Sequence, residues 1–249
     1  MEGPVAVVLA AGMGTRMKTD LPKVMVPVLG RPMIEFVLDA LNKAEIRRVI
    51  VVIGYRGEDV QKALSHRSGL EYAWQTERLG TGHAVQMAAP LLQNHAGPVA
   101  IVAGDSPMLQ AGSLVRLLAH FLEHRPACLL GTLHKENPAG LGRIVRNAAG
   151  EFLRIVEEKD ASEAERAITE VNMSTYLFGG DDLQLALSNL TNENRQREYY
   201  LTDCAGLLRA AGKLVQALPI LQACEALSIN TADELQLVEA EMKKMGYSP

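Results

Sequence analysis

Val5-Ala6-Val7-Val8-Leu9-Ala10-Ala11-Gly12-Met13-Gly14-Thr15-Arg16-Met17-Lys18-Thr19-Asp20-Leu21-Pro22-Lys23 opens the chain with an apolar run of strand length. The run passes through small residues into two glycines and then three basic side chains, Arg16, Lys18 and Lys23. A strand apolar on both faces belongs inside a sheet covered by helices on both sides. Glycines let backbone N–H groups converge on an anion, and the basic side chains add charge. Loops of this kind at the ends of buried strands hold nucleotide phosphates in α/β sheets. The stretch therefore points to a nucleoside triphosphate. It is neither a G-x-x-x-x-G-K-[ST] loop nor a dinucleotide fingerprint, because Met17 stands at the third glycine position. A tight turn is the plain alternative for Gly12-x-Gly14. Arg16, Lys23 and the stiffening Pro22 speak against it.

The chain has 249 residues, 48% hydrophobic and 22% charged, with a net charge of −4. That composition suits a compact protein with a sizeable core. It gives no global attraction to nucleic acid polymers or to an anionic membrane, so a phosphate ligand needs a local basic cluster, which residues 16–23 supply. Cys128, Cys204 and Cys224 fit no metal or redox spacing and read as core residues in a reducing compartment. No run is long enough to span a membrane, and a cytoplasmic location is expected.

Strands and helices alternate. Pro4–Ala10, Arg48–Ile53, Leu70–Gln75 and Pro98–Ala103 read as strands. Pro32–Asn42, residues 57–65, Gly82–Leu92 and the stripe Leu114, Leu117, Leu118, Phe121, Leu122 read as helices. This is the rhythm of a mostly parallel sheet. After residue 126 the strand candidates Ala127–Leu133, Gly142–Arg146, Phe152–Glu157 and Val171–Phe178 follow with little helix between them, which predicts antiparallel additions. Helices return near 181–190 and 203–211, and a strand near 214–218. The last helix follows Asn230, with Asp233 and Glu234 in its first turn, Lys243 and Lys244 in its last, and an apolar stripe of Leu235, Val238, Met242 and Met245. With no repeat or linker, residues 1–249 read as one domain, mainly nucleotide-binding over 1–110 and mainly sugar-phosphate-binding over 111–249.

Leu9-Ala10-Ala11-Gly12-Met13-Gly14-Thr15-Arg16-Met17 with Pro22-Lys23 resembles the signature of sugar-1-phosphate nucleotidyltransferases. Gln75-Thr76-Glu77-Arg78-Leu79-Gly80-Thr81-Gly82-His83-Ala84 is more specific, as are Gly104-Asp105-Ser106-Pro107, Gly142-Arg143-Ile144-Val145, Ile155-Val156-Glu157-Glu158-Lys159-Asp160-Ala161, Glu170-Val171-Asn172 and Tyr200-Leu201-Thr202-Asp203. Together these blocks resemble the pyrophosphorylase domain of bacterial N-acetylglucosamine-1-phosphate uridylyltransferases across essentially the whole chain. The resemblance implies a Rossmann-like nucleotide-diphospho-sugar transferase fold, a mostly parallel mixed sheet with helices on both faces. Bifunctional members continue into an acetyl-transferring β-helix of hexapeptide repeats. Residues 1–249 contain none, so a stand-alone uridylyltransferase or an excised domain is expected.

The resemblance also implies roles. Leu9, Ala10, Ala11, Gly12, Gly14, Thr15, Gln75, Gly80 and Thr81 would bind the nucleotide, with Gln75 and Gly80 reading the uracil edge. Arg16 would hold the departing β,γ-phosphates, and Lys23 would sit near the α-phosphate and the sugar phosphate. Asp105 and Asn230 would hold Mg²⁺, which commonly keeps waters and phosphate oxygens as its other ligands. Gly142, Glu157, Asn172 and Thr202 would contact the sugar phosphate. Plainer readings stand beside these. Asn230 suits a helix N-cap, Gln75 a strand-end surface position, and Glu157 a strand-end charge like its neighbours Glu158 and Lys159. His120 and His124, four apart, read as a solvated face rather than a metal site, and His83 as positional.

Arg78, Leu141 and Met173-Ser174-Thr175 depart from the family pattern, which often has Gln, Tyr and Thr-Gly there. These departures leave the chemistry intact and bear on the sugar. The expected reaction joins UTP and N-acetylglucosamine 1-phosphate by in-line attack on the α-phosphate, with pyrophosphate leaving. The same chemistry on glucose or mannose 1-phosphate with UTP, dTTP or GTP is the alternative, and a non-catalytic nucleotide-sugar sensor is the alternative of another class. A homo-oligomer is compatible with the sequence.

Overall fold

The computed structural model describes residues 2–14, 17 and 19–248. The chain runs through β1 (Val5–Ala10), β2 (Pro27–Val28), β3 (Arg31–Pro32), α1 (Met33–Lys43), β4 (Arg48–Ile53), α2 (Gly57–Ala63) and β5 (Leu70–Trp74). It continues through α3 (Thr81–Ala88), β6 (Pro98–Ala103), α4 (Ala111–His124), β7 (Cys128–His134), β8 (Gly142–Arg146) and β9 (Phe152–Val156). It ends with α5 (Glu163–Arg166), β10 (Glu170–Gly179), α6 (Gly180–Ser188), α7 (Leu201–Ala210), β11 (Val215–Leu218) and α8 (Ala232–Lys244).

β1 is paired in parallel on both edges, to β4 from Val5↔Arg48 to Ala10↔Ile53 and to β6 from Val5↔Val99 to Leu9↔Ala103. Val5, Val7, Ile50, Val52, Val99 and Ile101 pack toward α3, α6 and α7. Ala6, Val8, Val49, Val51, Ala100 and Val102 pack toward α1 and α4. A side chain of this size contributes roughly 1.5–3 kcal/mol when fully buried, so a strand with both faces covered needs the unbroken apolar run seen in the sequence.

The main sheet has the order β11-β7-β10-β6-β1-β4-β5, with β8 and β9 branching from β10. The first four long strands are parallel and lie in the order β5-β4-β1-β6. The chain thus winds outward from β1 on one side and returns to its other side. This reversal opens a crevice beyond the carboxyl ends of β1 and β6, where α/β sheets bind ligands. β10 then pairs antiparallel with β6, β7 and β8, as the crowding of strands after residue 126 led us to expect.

Several local features differ from the sequence reading. The helix expected over Gly82–Leu92 ends at Ala88 and tightens into a 3-10 turn, Ala89–Leu92, because Pro90 lacks an N–H. The short β2–β3 hairpin and α5 were not foreseen. On α8, Val238 and Met242 are buried against Val28, Met33 and Phe36, but Met245 lies past the helix end and is 38% exposed. Cys128 and Cys204 are buried core thiols and Cys224 is half-buried. Among the described residues, no helix is long and apolar enough to cross a membrane.

A polar network fixes the antiparallel part. Thr132 Oγ1 donates to Glu170 Oε1 at 2.7 Å, and Arg146 Nε donates to Glu170 Oε2 at 2.7 Å. The Arg146 guanidinium also reaches the Ala217 carbonyl at 2.7 Å, so β7, β8, β10 and β11 share one knot. Burial pushes the Glu170 carboxyl up, but hydrogen bonds from Arg146 and Thr132 outweigh it and hold the group below its ordinary value of 4.5. A lowered carboxylate contributes stability above its unfolded pKa and loses it as pH falls through the folded value. Arg146→Ala should therefore cost about 2–3 kcal/mol at neutral pH. Urea denaturation should show this penalty shrinking below about pH 4 as Glu170 is protonated; a penalty independent of pH would contradict the role given to the pair.

Candidate active site

The crevice is floored by the ends of β1 and β6. After β1 the chain folds back on itself, with Met17 N–H donating to the Gly14 carbonyl (2.9 Å) and Lys23 N–H to that of Gly12 (3.3 Å). Gly14 has φ +66°, and a Cβ there would come within 2.9 Å of the Lys23 Cβ, so glycine is what lets the loop close over Lys23. Gly104 closes the other side. Its N–H donates to the Leu9 carbonyl at 2.9 Å, and a Cβ would meet that same oxygen at 2.9 Å. The next residue, Asp105, is thereby placed at the mouth of the crevice.

Lys23, Asp105 and Asn230 meet there. Lys23 Nζ donates to Asp105 Oδ2 at 2.5 Å and to Asn230 Oδ1 at 2.8 Å. Asn230 is not the N-cap of α8. Thr231 fills that position, its hydroxyl accepting from the Glu234 N–H in a capping box, which leaves the Asn230 amide directed toward Lys23. Two oxygens from distant segments thus converge on one cation, the ammonium. Hard oxygen donors of this kind suit Mg²⁺, which needs few protein ligands when phosphates and waters complete its shell. Among the described residues there is no cluster of three or more His, Cys, Asp or Glu able to hold a metal, so a cation here would depend on substrate oxygens.

A cavity of about 420 Å³ adjoins this cluster. Leu9, Ala11, Gly12, Lys23, Gln75, Gly80, Thr81 and Asp105 all line it, which brings together most of the residues expected around the nucleotide. Ala10 is buried in the core beneath the loop, so only its backbone is positioned to act. Thr15 and Arg16 lie outside the described residues. Gln75 is buried, and its amide N–H₂ donates to the Gly80 carbonyl at 3.0 Å and lies 3.2 Å from His83 Nδ1. The donor end is thus engaged within the protein, leaving the carbonyl oxygen as the end able to read a ligand. His83 is thereby tied to Gln75.

The Gly80–Gly82 turn is held from behind by residues 199–201. Tyr199 N–H donates to the Leu79 carbonyl (2.7 Å), Gly82 N–H to the Tyr199 carbonyl (2.7 Å), and Leu201 N–H to Thr81 Oγ1 (3.1 Å). Cβ atoms at Gly80 and Gly82 would come within 2.5 and 2.9 Å of the Tyr199 oxygen.

The residues expected around the sugar also come together. Asn172 pairs with Gly142 across β10 and β8. Glu157 follows β9 and accepts from Thr202 Oγ1, in the first turn of α7, at 3.0 Å. Asn172 is more committed than the sequence suggests, because Nδ2 donates to Tyr176 Oη at 2.6 Å and Oδ1 accepts from Ser174 N–H at 3.2 Å. Glu157 lines a second, larger concavity with Asp160, Tyr200 and Asp203, rimmed by Arg154, Arg195 and Arg197. Burial, then the neighbouring carboxylates, push the Tyr200 phenol up to about 12. Glu158, expected as a free surface charge, instead pairs with the buried Arg143 at 2.6 Å. His120 is half-buried, engaged by Gln216 at 2.9 Å, with its ring packed on His124, so it is less solvated than the sequence suggests. Ser174 and Glu198 also line the nucleotide-side cavity. Glu198 stands two residues before the quoted Tyr200-Leu201-Thr202-Asp203 block, the one signal that could have found it.

The family model of MobA-like NTP transferase domains matches residues 6–174. The bifunctional protein GlmU of Brevibacillus brevis is 45% identical over 239 residues, covering 96% of this chain and 51% of that protein. GlmU of Streptococcus gordonii is 42% identical, covering 96% of this chain and 52% of that protein. The chain spans about half the length of the curated relatives it matches. In fold, a UDP-glucose pyrophosphorylase complexed with UDP-glucose superposes with a TM-score of 0.77 at 16% identity, over 97% of this chain and 98% of that one. A Bacillus anthracis protein assigned as a glucose-1-phosphate thymidylyltransferase superposes with a TM-score of 0.78 at 15% identity, over 99% and 98%.

Burial raises the Glu157 carboxyl above its ordinary 4.5, against the lowering hydrogen bond from Thr202. A raised acid favours the native state below its unfolded pKa, and that contribution is lost as pH rises through the folded value. Ionised Glu157 therefore costs stability at neutral pH. Glu157→Gln, which keeps an acceptor for Thr202, should raise Tm at pH 7.5 by about 2–4 °C. Thermal melts should show the difference vanishing near pH 4; a variant less stable than wild type at pH 7.5 would refute the desolvation account.

Proposed function

The chain belongs to the family of MobA-like NTP transferase domains and is a nucleotidyltransferase, and from that premise we propose that it is a uridylyltransferase joining UTP to N-acetylglucosamine 1-phosphate. The observation that carries this is the meeting of Lys23, Asp105 and Asn230 beside a cavity lined by Gln75 and Gly80. Similarity to GlmU proteins over nearly the whole chain supports the choice of substrates. In this reading residues 1–110 mainly hold the nucleotide and 111–249 mainly the sugar phosphate.

A sugar-phosphate oxygen attacks the α-phosphorus of UTP. The bond from that phosphorus to the oxygen bridging the β-phosphate breaks, and pyrophosphate leaves with the electron pair. No protein nucleophile or base is needed, because a phosphate monoester with a second pKa near ~6 is already largely ionised. The obstacle is repulsion between two anions. Lys23 meets it with a positive charge fixed at the crevice mouth, where a group placed in advance needs no reorganisation during reaction. Asp105 and Asn230 hold that ammonium in place and are also the residues that would hold Mg²⁺. When bound, the ion would neutralise and align phosphate oxygens. Gln75 accepts from the uracil imide through its free carbonyl oxygen, and Gly80 lets the base lie against backbone. On the acceptor side, Glu157 and Thr202 meet sugar hydroxyls, Gly142 allows close approach, and Asn172 offers its remaining N–H and lone pair. Hydroxyls near Glu157 and phosphate near Lys23 set the direction in which the sugar lies. Arg16 takes the departing pyrophosphate.

A pyrophosphate-release panel of nucleoside triphosphates against sugar 1-phosphates tests this. UTP with N-acetylglucosamine 1-phosphate should be the fastest pair, and turnover should require Mg²⁺. Rapid turnover of dTTP or GTP with glucose or mannose 1-phosphate and none with UTP would move the assignment to the alternative substrates. Binding without turnover of any pair would favour a sensor. Lys23→Ala should lower kcat by a factor of about 10²–10³, a far larger effect than its loss of stability, and Asp105→Ala should abolish Mg²⁺-dependent turnover. Near-normal rates in both would overturn the site.

A further inference from the structure

β10 carries an irregularity that no regular strand requires. Asn172 pairs with Thr132 of β7, but the next pair is Thr175 with Gly131, so Met173 and Ser174 have no partners on that side. Ser174 has φ +52°, in the left-handed region, where a residue with a Cβ costs roughly 1–2 kcal/mol. The bulge is held from within, as Asn172 Oδ1 accepts from the Ser174 N–H and Asn172 Nδ2 donates to Tyr176 Oη. Such an outlier persists only where its surroundings over-determine it, and outliers of this kind cluster at functional sites.

Met173 packs with the core on the α1 and α4 side. Ser174 instead lines the cavity of Gln75, Gly80, Lys23 and Asp105. The antiparallel register Thr175↔Val102 carries Ser174 alongside Ala103, two residues before Asp105. Ser174 and Glu198 are the two residues beyond position 110 that line this cavity. An acceptor held by the 111–249 half has to pass this wall, because its phosphate must come within about 3–3.5 Å of the α-phosphorus. Glu198 presents a carboxylate, which repels a phosphate. Ser174 presents a hydroxyl with no protein hydrogen-bond partner among the described residues.

We propose that Ser174 is an acceptor-binding residue, its Oγ–H donating to the phosphate of the sugar 1-phosphate where that substrate meets the nucleotide. This rests on the nucleotidyltransferase reading of the site and adds a contact to it. The strained backbone is what carries the hydroxyl over the crevice. At an unbulged position, residue 174 would be drawn into the β7 ladder.

Pyrophosphate-release kinetics on wild type, Ser174→Ala and Ser174→Gly test it, using whichever sugar 1-phosphate the wild-type enzyme turns over fastest. A different best acceptor would therefore sink the N-acetylglucosamine assignment while leaving this comparison intact. Both variants should raise KM for the sugar 1-phosphate about tenfold, the worth of one hydrogen bond to a charged oxygen, with KM for the nucleotide within about twofold. Glycine accepts φ +52° freely and alanine does not, so only Ser174→Gly should also melt at higher temperature. The two variants thus separate the hydroxyl from the backbone. An acceptor KM unchanged in both, or KM values for acceptor and nucleotide raised equally, would overturn the proposal.

Discussion

An ammonium between two oxygens organises this molecule. Lys23 reaches Asp105 across 82 positions of sequence and Asn230 across 207, so one side chain joins the loop after β1, the end of β6 and the approach to α8. Lys23 and Asp105 are only partly exposed, with side chains at 16% and 30% of full accessibility. Attraction between opposite charges is stronger in such a setting than in water, yet removing either partner leaves the other poorly solvated. The contact is therefore both a closure of the chain and a reserve of charge. In the proposed reaction a phosphate would meet an ammonium that Asp105 and Asn230 already hold in place.

The parallel strands open the crevice, and the antiparallel strands bring the later part of the chain to it. Parallel order alone produces a crevice beside β1, enough to hold a nucleotide. β10 runs against β6 and so returns the later part of the chain to that same rim. β8 and β9, branching from β10, then carry Gly142 and Glu157 outward, and α7 brings Thr202 to meet Glu157. Residues from both halves of the chain reach one rim because two strand directions share one sheet.

Residues whose role follows from a continuous pattern were legible from sequence. Val5–Ala10, Arg48–Ile53 and Pro98–Ala103 are apolar throughout because both their faces are covered, and helix periodicity located α1 and α4. The opening loop suggested a phosphate cradle through its own glycines and basic residues, and Asp105 drew its expected place from family resemblance. What sequence concealed were matters of competing partners. Nothing in Asn230-Thr231 says which residue caps α8, since both types can; the structure gives the cap to Thr231 and releases Asn230. Gln75 suited a strand-end surface position, but it is buried and Gly80 and His83 take its donor end. Glu158 looked like solvent-facing charge because its partner, Arg143, lies across a strand pair. The bulge at 173–174 leaves no trace in an alternation pattern, because it is defined by what β7 fails to pair with.

The hydrogen bonds between residues 79–82 and 199–201 make these segments a single interlocked unit. One lines the cavity beside Lys23 and Asp105, and the other leads straight into the helix carrying Thr202. With glycines at 80 and 82 pressed against the Tyr199 backbone, neither segment is an independent module. A chimera that imports a relative's 75–82 block has to import the 198–202 block with it. If these segments meet base and sugar as proposed, selectivity for the two substrates is inherited together, as one structural allele rather than two.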